Sequence, residues 1–286
     1  MPNPKKSQPV LIIHGGAGRK TANTKRQKQI QESLSSILLL AHKRLLLTNS
    51  LEAVTYAVTL LEDDPLFNAG TGARLQSDGH ARLSASIMDG GSRKFAGVIN
   101  LENIKNPILV ARALLKKNDR VLAGIGAFEF AKDIGFKTFN TRTEESVRLW
   151  RKTKTAAFDT VGACALDSAG LLASATSTGG KGMEWPGRVS DSATPAGNFA
   201  DEFCAISATG IGEEIMDEGL AVKIATRVRD GRTINSAFER SFKEVRLGNR
   251  FMGAIGLDRL GNVAWDFTTE RMAFGWKKGN KQEIFK

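Results

Sequence analysis

The order of apolar patterns along the 286-residue chain predicts a layered α+β fold. Two long segments with helical spacing of apolar residues follow a short apolar run at residues 10–13, which is typical of a strand. The second half contains short strand-like runs joined by turns, and two helical segments lie among them. Helices interspersed with antiparallel strands are expected to cover sheets in layers. A chain of this length can bury a substantial core, as one large domain or two smaller ones.

The first two helices are predicted from an apolar face and from a capping signal. Residues 24–46 carry a broad apolar face at helical spacing. Asn49 is the expected N-cap of the second helix, with Glu52 three residues later to bond back to it. The second helix is expected to end at Pro65.

The rest of the first half is predicted to alternate between strands and helices before it becomes polar. Strands are expected at residues 81–87 and 97–99, followed by a helix with Pro107 at its first position and another that ends near Gly135. Residues 137–159 are mostly polar and only weakly periodic. Because such a long loop is unusual in a compact domain unless it is functional or disordered, this segment is predicted to be a mobile linker.

The second half is predicted to begin with strands and to end in a hairpin. Its expected elements are strands at 161–166, 171–176 and 203–207, helices at 213–228 and 234–245, and a hairpin at 252–267 around the turn 258–262.

The net charge of +11 lies wholly before residue 160, where 25 Lys and Arg face 14 Asp and Glu. A basic half would suit an anionic partner such as nucleic acid. However, the cations are scattered, and the phenylalanines fall within apolar runs, so no aromatic platform for stacked bases accompanies them. The preferred interpretation is a solvated basic surface, and nucleic acid is not an expected partner.

No segment of the sequence predicts export or membrane insertion. The chain has no run of about 18 apolar residues, and residues 10–13 are too short for the core of a signal peptide. Cys164 and Cys204 both lie in apolar, strand-like surroundings, where buried reduced thiols are expected rather than a disulfide. A cytoplasmic protein is therefore expected.

The bond between Asp159 and Thr160 suggests a specific chemistry. If this bond were cleaved, Thr160 would carry both a nucleophilic hydroxyl and a free α-amine that can act as its base. An α-amine titrates near about pH 8, so a useful neutral fraction exists at neutral pH. Taken alone, Thr160 is better explained as a β-branched residue that opens a buried strand. The motifs around it change this balance.

Several glycine- and threonine-containing motifs occur in a definite order along the chain. They are His14-Gly15-Gly16-Ala17-Gly18, Leu66-Phe67-Asn68-Ala69-Gly70, Met88-Asp89-Gly90, Ser177-Thr178-Gly179-Gly180, residues 186–192 and Thr209-Gly210-Ile211-Gly212-Glu213. This series resembles the plant-type asparaginase/isoaspartyl peptidase family of N-terminal-nucleophile threonine hydrolases over nearly the whole chain. The resemblance implies a four-layer αββα sandwich. It also implies autocleavage into an α subunit, residues 1–159, and a β subunit, residues 160–286, which together form one structural domain.

The resemblance assigns catalytic roles to four residues. Thr160 would be the nucleophile once the Asp159-Thr160 bond is cut, and Thr178 would orient its hydroxyl. Thr209 and Gly210 would form the oxyanion hole, whose donors stabilise charge that develops only in the transition state. The expected substrates are β-aspartyl dipeptides and L-asparagine, both of which release L-aspartate through an acyl-enzyme.

Substrate recognition is expected at a second group of residues. The planar fork of Arg188 suits an α-carboxylate, and Asp191 suits an α-ammonium; a surface salt bridge between the two is the alternative. Gly210 and Gly212 would let the backbone approach the substrate closely. The resemblance adds Asn68 and Gly15 as residues that support the site.

The resemblance implies no cofactor for catalysis but a possible structural sodium ion. Its ligands would be backbone carbonyls, since carbonyl oxygens suit hard cations. These carbonyls would belong to Leu61, Glu62, Asp64, Phe67, Ala69 and Thr71. The expected assembly is a dimer of αβ units.

Two alternative functions remain open from the sequence. A glycosylasparaginase-like amidase would use the same chemistry, although the His14 to Gly18 motif favours the plant-type branch. An uncleaved, basic nucleic-acid-binding protein on the same fold would belong to a different class. Two fragments on a denaturing gel would support an enzyme, whereas salt-dependent binding by an intact chain would support the binding protein.

Overall fold

Two β-sheets packed against each other, each covered by helices on its outer side, form the fold. The computed structural model describes residues 7–19, 23–152 and 160–285. The larger sheet has eight strands and the smaller sheet has four. The predicted α+β class and the four-layer αββα sandwich implied by the resemblance are both confirmed.

The larger sheet takes strands from both halves of the chain. Its strands are β1 (Val10–Gly18), β2 (Leu83–Asp89), β3 (Lys94–Leu101), β4 (Val121–Ala123), β5 (Val161–Leu166), β6 (Leu172–Thr178), β11 (Arg271–Lys278) and β12 (Lys281–Ile284). Their spatial order is β12-β11-β1-β5-β6-β2-β3-β4. The smaller sheet consists of β7 (Asn198–Ala200), β8 (Cys204–Gly210), β9 (Met252–Asp258) and β10 (Val263–Phe267), in the order β10-β9-β8-β7. The two halves of the chain are thus interleaved in one structure.

The helices divide between the outer surfaces of the two sheets. They are α1 (Thr24–Leu47), α2 (Ser50–Asp63), α3 (Pro107–Leu114), α4 (Gly124–Asp133), α5 (Glu144–Arg151), α6 (Gly212–Glu218), α7 (Leu220–Arg229) and α8 (Ile234–Leu247). Helices α1, α2 and α3 pack on the larger sheet, and α7 and α8 pack on the smaller one. Among the described residues, no helix is long and apolar enough to cross a lipid bilayer.

The central strands β5 and β6 are buried along their whole length. Helix α2 packs against this strand pair, and strand β8 of the smaller sheet also packs against the same two strands. The side chains of β5 and β6 are mostly alanine, glycine, serine and threonine. Small side chains let the two sheets approach each other closely, which brings the start of β5, the end of β6 and β8 together.

Most of the predicted elements are confirmed. Helix α1 ends one residue beyond the predicted boundary. The Asn49 Oδ1 atom accepts a hydrogen bond from the Glu52 backbone N–H at 2.9 Å, as expected for an N-cap. The Glu52 side chain does not complete a capping box, because its carboxylate accepts from Arg112 at 2.8 Å instead. Cys164 and Cys204 are buried free thiols, as predicted.

The main differences lie in segments whose structure depends on tertiary contacts. Helix α5 occupies part of the expected linker, where Thr143 forms a capping box with Ser146. Val147 and Trp150 of this helix pack on a small apolar cluster. Two apolar residues give too weak a periodicity in the sequence to predict the helix. Residues 153–159, the end of the expected linker with Asp159, lie outside the described residues.

Two further differences concern the second half of the chain. The helix expected at 213–228 is two helices, α6 and α7, because Gly219 adopts a left-handed conformation with φ of 55° between them. Such a conformation ends a right-handed helix, and glycine adopts it with little strain. Strands β11 and β12 follow the predicted closing hairpin and complete one edge of the larger sheet.

Candidate active site

Thr160 and Thr178 lie side by side at one end of the β5–β6 pair. Val161 is paired with Ser177 in antiparallel register, so the residues just beyond them face each other. The Thr160 hydroxyl donates to the Thr178 hydroxyl across 3.3 Å. Thr178 also accepts from the Gly180 backbone N–H at 3.2 Å. This arrangement gives Thr160 a fixed hydroxyl neighbour, and both side chains are almost completely buried.

Thr209 and Gly210 approach the same place from the end of β8. Thr209 is fully buried, and its hydroxyl accepts from the Ala17 backbone N–H at 3.2 Å. Gly210 has a φ of 139°, and a Cβ atom there would lie 2.5 Å from the Cα of Met252. Glycine is therefore required at this position.

Arg188, Asp191 and Gly212 form the polar side of the site. A Cβ atom at Gly212 would lie 2.6 Å from both Arg188 Nη2 and Asp191 Oδ1. Only a glycine lets these two charged groups approach the backbone so closely. A close approach to the Gly212 backbone was predicted for the substrate, and in the structure the Arg188 and Asp191 side chains make that approach.

Glu213 holds Arg188 in a two-point ion pair. Arg188 Nε donates to Glu213 Oε1 at 2.7 Å, and Nη2 donates to Oε2 at 2.9 Å. Lys181 Nζ reaches the same carboxylate at 3.2 Å. The hydrogen bonds from Arg188 hold the pKa of Glu213 down at about 2, so this carboxylate is charged at neutral pH. The ion pair uses the Nε–Nη2 edge of the guanidinium and leaves Nη1 out of both bonds.

Asp191 is a buried carboxylate with one oxygen still able to accept a hydrogen bond. Its Oδ1 accepts from the Ser190 hydroxyl at 3.2 Å. Its Oδ2 has no hydrogen-bond partner among the described residues. Burial raises the pKa of Asp191 to about 6, although the positive charge of Arg188 opposes this shift. A Cβ atom at Gly212 would lie 2.6 Å from Oδ1, and one at Gly197 would lie 2.6 Å from Oδ2, so Oδ1 is the oxygen on the Gly212 side.

These groups line one narrow cavity. Its lining residues are Thr160, Thr178, Gly180, Lys181, Arg188, Ser190, Asp191, Gly210 and Gly212. Six of the predicted catalytic and substrate-binding residues therefore meet in one place. Thr209, the residue before Gly210, is not among the lining residues, and its hydroxyl ties β8 to the glycine-rich segment of β1.

The two predicted supporting residues act at different distances from the cavity. The Asn68 side chain donates to the Gly180 carbonyl and accepts from the Arg74 backbone N–H at 2.9 Å, which fixes the loop after Thr178. Gly15 is not among the residues that line the cavity. A Cβ atom at Gly15 would lie 2.5 Å from the Phe67 ring, so glycine makes room for that ring.

The predicted cation-binding loop follows helix α2 and is crowded with backbone oxygens. A Cβ atom at Gly70 would lie 2.4 Å from the Glu62 carbonyl oxygen, and one at Gly72 would lie 1.9 Å from that of Phe67. The carbonyls of Asp64 and Ala69 each accept one backbone hydrogen bond within the loop, and a carbonyl oxygen has a second lone pair to offer. Among the described residues, no cluster of acidic, His or Cys side chains could hold a metal ion. The groups that this loop offers are backbone carbonyl oxygens, the donor type on which the sodium prediction rests.

The Glu62 side chain is a further buried group that the sequence did not single out. Its Oε1 accepts from the Ser177 hydroxyl at 2.6 Å and from the Ile108 backbone N–H at 3.1 Å. Burial raises the pKa of Glu62 to about 8. This carboxyl links the end of α2 to β6, one residue before Thr178. Glu213 and Lys181 were also missed, although both lie within or beside the quoted motifs.

Comparison with known proteins finds relatives along nearly the whole chain. The model of the asparaginase family matches residues 7–285. A protein named isoaspartyl peptidase/L-asparaginase from Nostoc sp. is 43% identical, with 96% of this chain and 93% of that protein covered. The isoaspartyl peptidase of Escherichia coli is 37% identical over 93% of this chain and 92% of its own. A plant-type L-asparaginase from Pyrococcus horikoshii is 34% identical, covering 96% and 98%.

Two stacked sheets between layers of helices are the fold of the N-terminal-nucleophile hydrolases, the class that includes the asparaginase family. The chain belongs to the asparaginase family.

Proposed function

We propose that this protein is an autoprocessed hydrolase of β-aspartyl dipeptides and L-asparagine, with Thr160 as its nucleophile. The observation that carries the proposal is the convergence of the Thr160–Thr178 hydroxyl pair with Arg188 and Asp191 in one cavity. A relative named for both activities and a relative named for the peptidase activity alone each match nearly the whole chain.

The first step would be maturation. The Thr160 hydroxyl attacks the carbonyl carbon of Asp159, and the acyl group moves from the Thr160 nitrogen to its oxygen. This shift frees the Thr160 α-amine, and water then hydrolyses the ester, which releases the Asp159 carboxylate and restores the Thr160 hydroxyl. The Thr178 hydroxyl, 3.3 Å from that of Thr160, would keep the nucleophile oriented.

Hydrolysis would then use the same hydroxyl on a substrate. The free α-amine takes the proton of the Thr160 hydroxyl, which attacks the side-chain carbonyl of the aspartyl group. Gly210, which lines the cavity, would stabilise the resulting oxyanion through its backbone N–H, and the family resemblance assigns the adjacent Thr209 hydroxyl to the same role. The amine returns the proton to the leaving ammonia or peptide amine. Water then attacks the acyl-enzyme and releases L-aspartate.

The aspartyl end of the substrate would be held by charge. Arg188 would bind the α-carboxylate with the donors that Glu213 leaves unused, and Asp191 would accept from the α-ammonium through Oδ1, the oxygen on the Gly212 side. Both charged groups of this cavity wall are largely buried, so water competes weakly for them. Asparagine and β-aspartyl peptides share this half, so the same contacts serve both substrates.

A structural sodium ion and a dimer of αβ units complete the proposal. The crowded carbonyls of the loop between Leu61 and Thr71 would hold the ion, which has no part in the reaction. The midpoint of thermal unfolding should rise in sodium chloride relative to choline chloride at equal ionic strength. Exposed apolar side chains at Ile125 and Val189, which line one surface groove, would favour subunit contact. Light scattering of the processed protein would measure its mass.

The activity is tested with three substrates. Purified protein is incubated with β-aspartyl-leucine, L-asparagine and α-aspartyl-leucine, and released amino acids are measured by mass spectrometry. We expect aspartate from the first two and none from the α-linked control, since its scissile carbonyl is not the side-chain one. The Thr160→Ala variant should release none. Absence of aspartate from fully processed wild-type protein would contradict the proposal.

A further inference from the structure

A hydrogen-bonded chain of three buried side chains lies directly behind the threonines of the cavity. His14 Nε2 and the Ser207 hydroxyl are 2.8 Å apart, and the Ser207 and Thr176 hydroxyls are 2.7 Å apart. Thr176 also donates to the Gly197 carbonyl at 3.4 Å. All three side chains are completely buried. This hydrogen-bonded chain of side chains joins β1 and β6 of the larger sheet to β8 of the smaller one.

The register of the strands places this chain one layer behind the candidate catalytic residues. Side chains two residues apart on a strand point to the same face. Thr176 is two residues from Thr178 on β6, and Ser207 is two residues from Thr209 on β8. Thr178 therefore has the Thr176 hydroxyl as its neighbour on the same face of β6, and Thr209 has the Ser207 hydroxyl as its neighbour on the same face of β8.

Gly162 occupies the equivalent position behind Thr160 and leaves room for the chain. His14 and Gly162 are direct cross-strand partners. A Cβ atom at Gly162 would lie 2.0 Å from the Ser207 hydroxyl and 2.5 Å from His14 Nε2. Any larger residue would push the imidazole and the hydroxyl apart. The space behind Thr160 is thus filled by polar groups that belong to three other positions.

His14 contributes a neutral ring to this layer. Burial lowers the pKa of His14 to about 3, and the nearby Thr160 backbone opposes that shift. Its Nδ1 atom has no well-aligned hydrogen-bond partner among the described residues. A neutral ring carries a single N–H and is not a source of charge at neutral pH, so its contribution is geometric.

We propose that His14, Ser207 and Thr176 form a positioning layer that sets where Thr178 and the Thr209–Gly210 segment stand relative to Thr160. The proposal rests on the function assigned above to these threonines. The three hydrogen-bonding groups fix the spacing between β6 and β8, because each hydroxyl must stay within reach of its neighbour. A loss of this spacing would misplace the oxyanion donors while leaving Arg188 and Asp191, on a separate segment, in place.

This separation predicts a change in kcat with little change in KM. The test uses a matched pair of variants at one position. Thr176→Val keeps the shape of the side chain and removes the hydroxyl, whereas Thr176→Ser keeps the hydroxyl and removes a methyl group. With β-aspartyl-leucine we expect Thr176→Val to lose about tenfold in kcat, as for one lost hydrogen bond. Its KM should stay within about twofold, and Thr176→Ser should keep most of the wild-type kcat.

A third variant, at Ser207, independently removes the central hydroxyl of this hydrogen-bonded chain. Ser207→Ala should also lower kcat without raising KM, and it leaves no bulky group to strain the core. The processed fraction and the midpoint of thermal unfolding are measured for all three variants. Because hydroxyl groups do not titrate near neutrality, the loss should be the same at every pH between about 6 and 9.

The outcomes separate the positioning role from its alternatives. Unchanged kcat in processed Thr176→Val and Ser207→Ala would overturn the positioning role. So would equal losses in Thr176→Val and Thr176→Ser that follow their thermal stability, which would indicate core packing alone. A shifted acid limb of the pH profile would instead make His14 a proton carrier and overturn it too. A processed wild-type protein without hydrolysis would refute the function itself.

Discussion

Replacing Arg188 by lysine tests how the cavity recognises an α-carboxylate. Arginine offers two donor edges, and Glu213 occupies one of them through Nε and Nη2 at 2.7 and 2.9 Å. A lysine ammonium keeps the charge but is a single point donor. It cannot hold Glu213 by two bonds and present a fixed pair of donors to the substrate. The change therefore removes geometry and leaves charge.

The size of the effect follows from the bonds that are lost. A hydrogen bond to a charged group contributes about 1.5–3 kcal/mol, and each 1.36 kcal/mol is about tenfold in rate. Only 12% of the Arg188 side chain is exposed, so water replaces the lost donor poorly. Loss of one such bond to the substrate predicts a decrease in kcat/KM on the order of 10².

The assay is steady-state hydrolysis of β-aspartyl-leucine by processed Arg188→Lys. Arg246→Lys is a matched control, since Arg246 also makes a two-point pair, with Asp266 at 2.6 and 3.1 Å, but is half exposed and does not line the cavity. We expect the control to retain wild-type kinetics and both variants to mature normally. Wild-type kcat/KM in Arg188→Lys on several β-aspartyl substrates would refute the reasoning and leave Arg188 as an ion-pair residue of Glu213.

Three further results are expected. Burial raises the pKa of Asp191 to about 6, so the carboxylate becomes neutral below that pH and KM should rise as pH falls through about 6. Asp191→Asn should show a high KM at every pH. An unchanged acid limb in the pH profile of that variant would contradict the assignment. Gly212→Ala would place a methyl 2.6 Å from Arg188 and Asp191 and should raise KM, whereas Gly126→Ala, a control at a glycine with open space around it, should leave KM unchanged. Finally, the rate of hydrolysis should fall only mildly with salt. A nucleic-acid binder would instead lose about 10³-fold or more in affinity for labelled RNA or DNA between about 50 and 200 mM salt. Nucleic-acid binding with such a steep salt dependence, without turnover of substrate, would favour the binding protein.

Local patterns in the sequence were sufficient for most of the fold. The apolar face of α1 and the N-cap at Asn49 depend on neighbours within a few residues, so the sequence predicts them well. Helix α5 was missed because its two apolar contacts, Val147 and Trp150, meet a cluster formed by distant residues. The break at Gly219 was missed for a similar reason, since a glycine inside a helical pattern need not adopt a left-handed conformation.

The site was predictable where a motif could be matched and not where side chains meet across sheets. The motifs brought Thr160, Thr178 and Asp191 forward, and the structure gathers them at one cavity. Glu213 stood within a quoted motif, yet its pairing with Arg188 depends on how the segment after β8 lies against the segment after β6. His14 was considered only as part of a glycine-rich segment, because its partner Ser207 is 193 residues away.

Intact mass spectrometry of the purified protein tests the central claim most directly. Wild-type protein and Thr160→Ala are expressed and purified identically, and their masses are measured under denaturing conditions. We predict two wild-type fragments, residues 1–159 and 160–286, whose masses sum to that of the full chain plus one water, with threonine at the new N-terminus. Thr160→Ala should remain a single chain of full mass. Equal processing of both proteins, or an intact wild-type chain that hydrolyses β-aspartyl-leucine, would contradict an N-terminal threonine nucleophile.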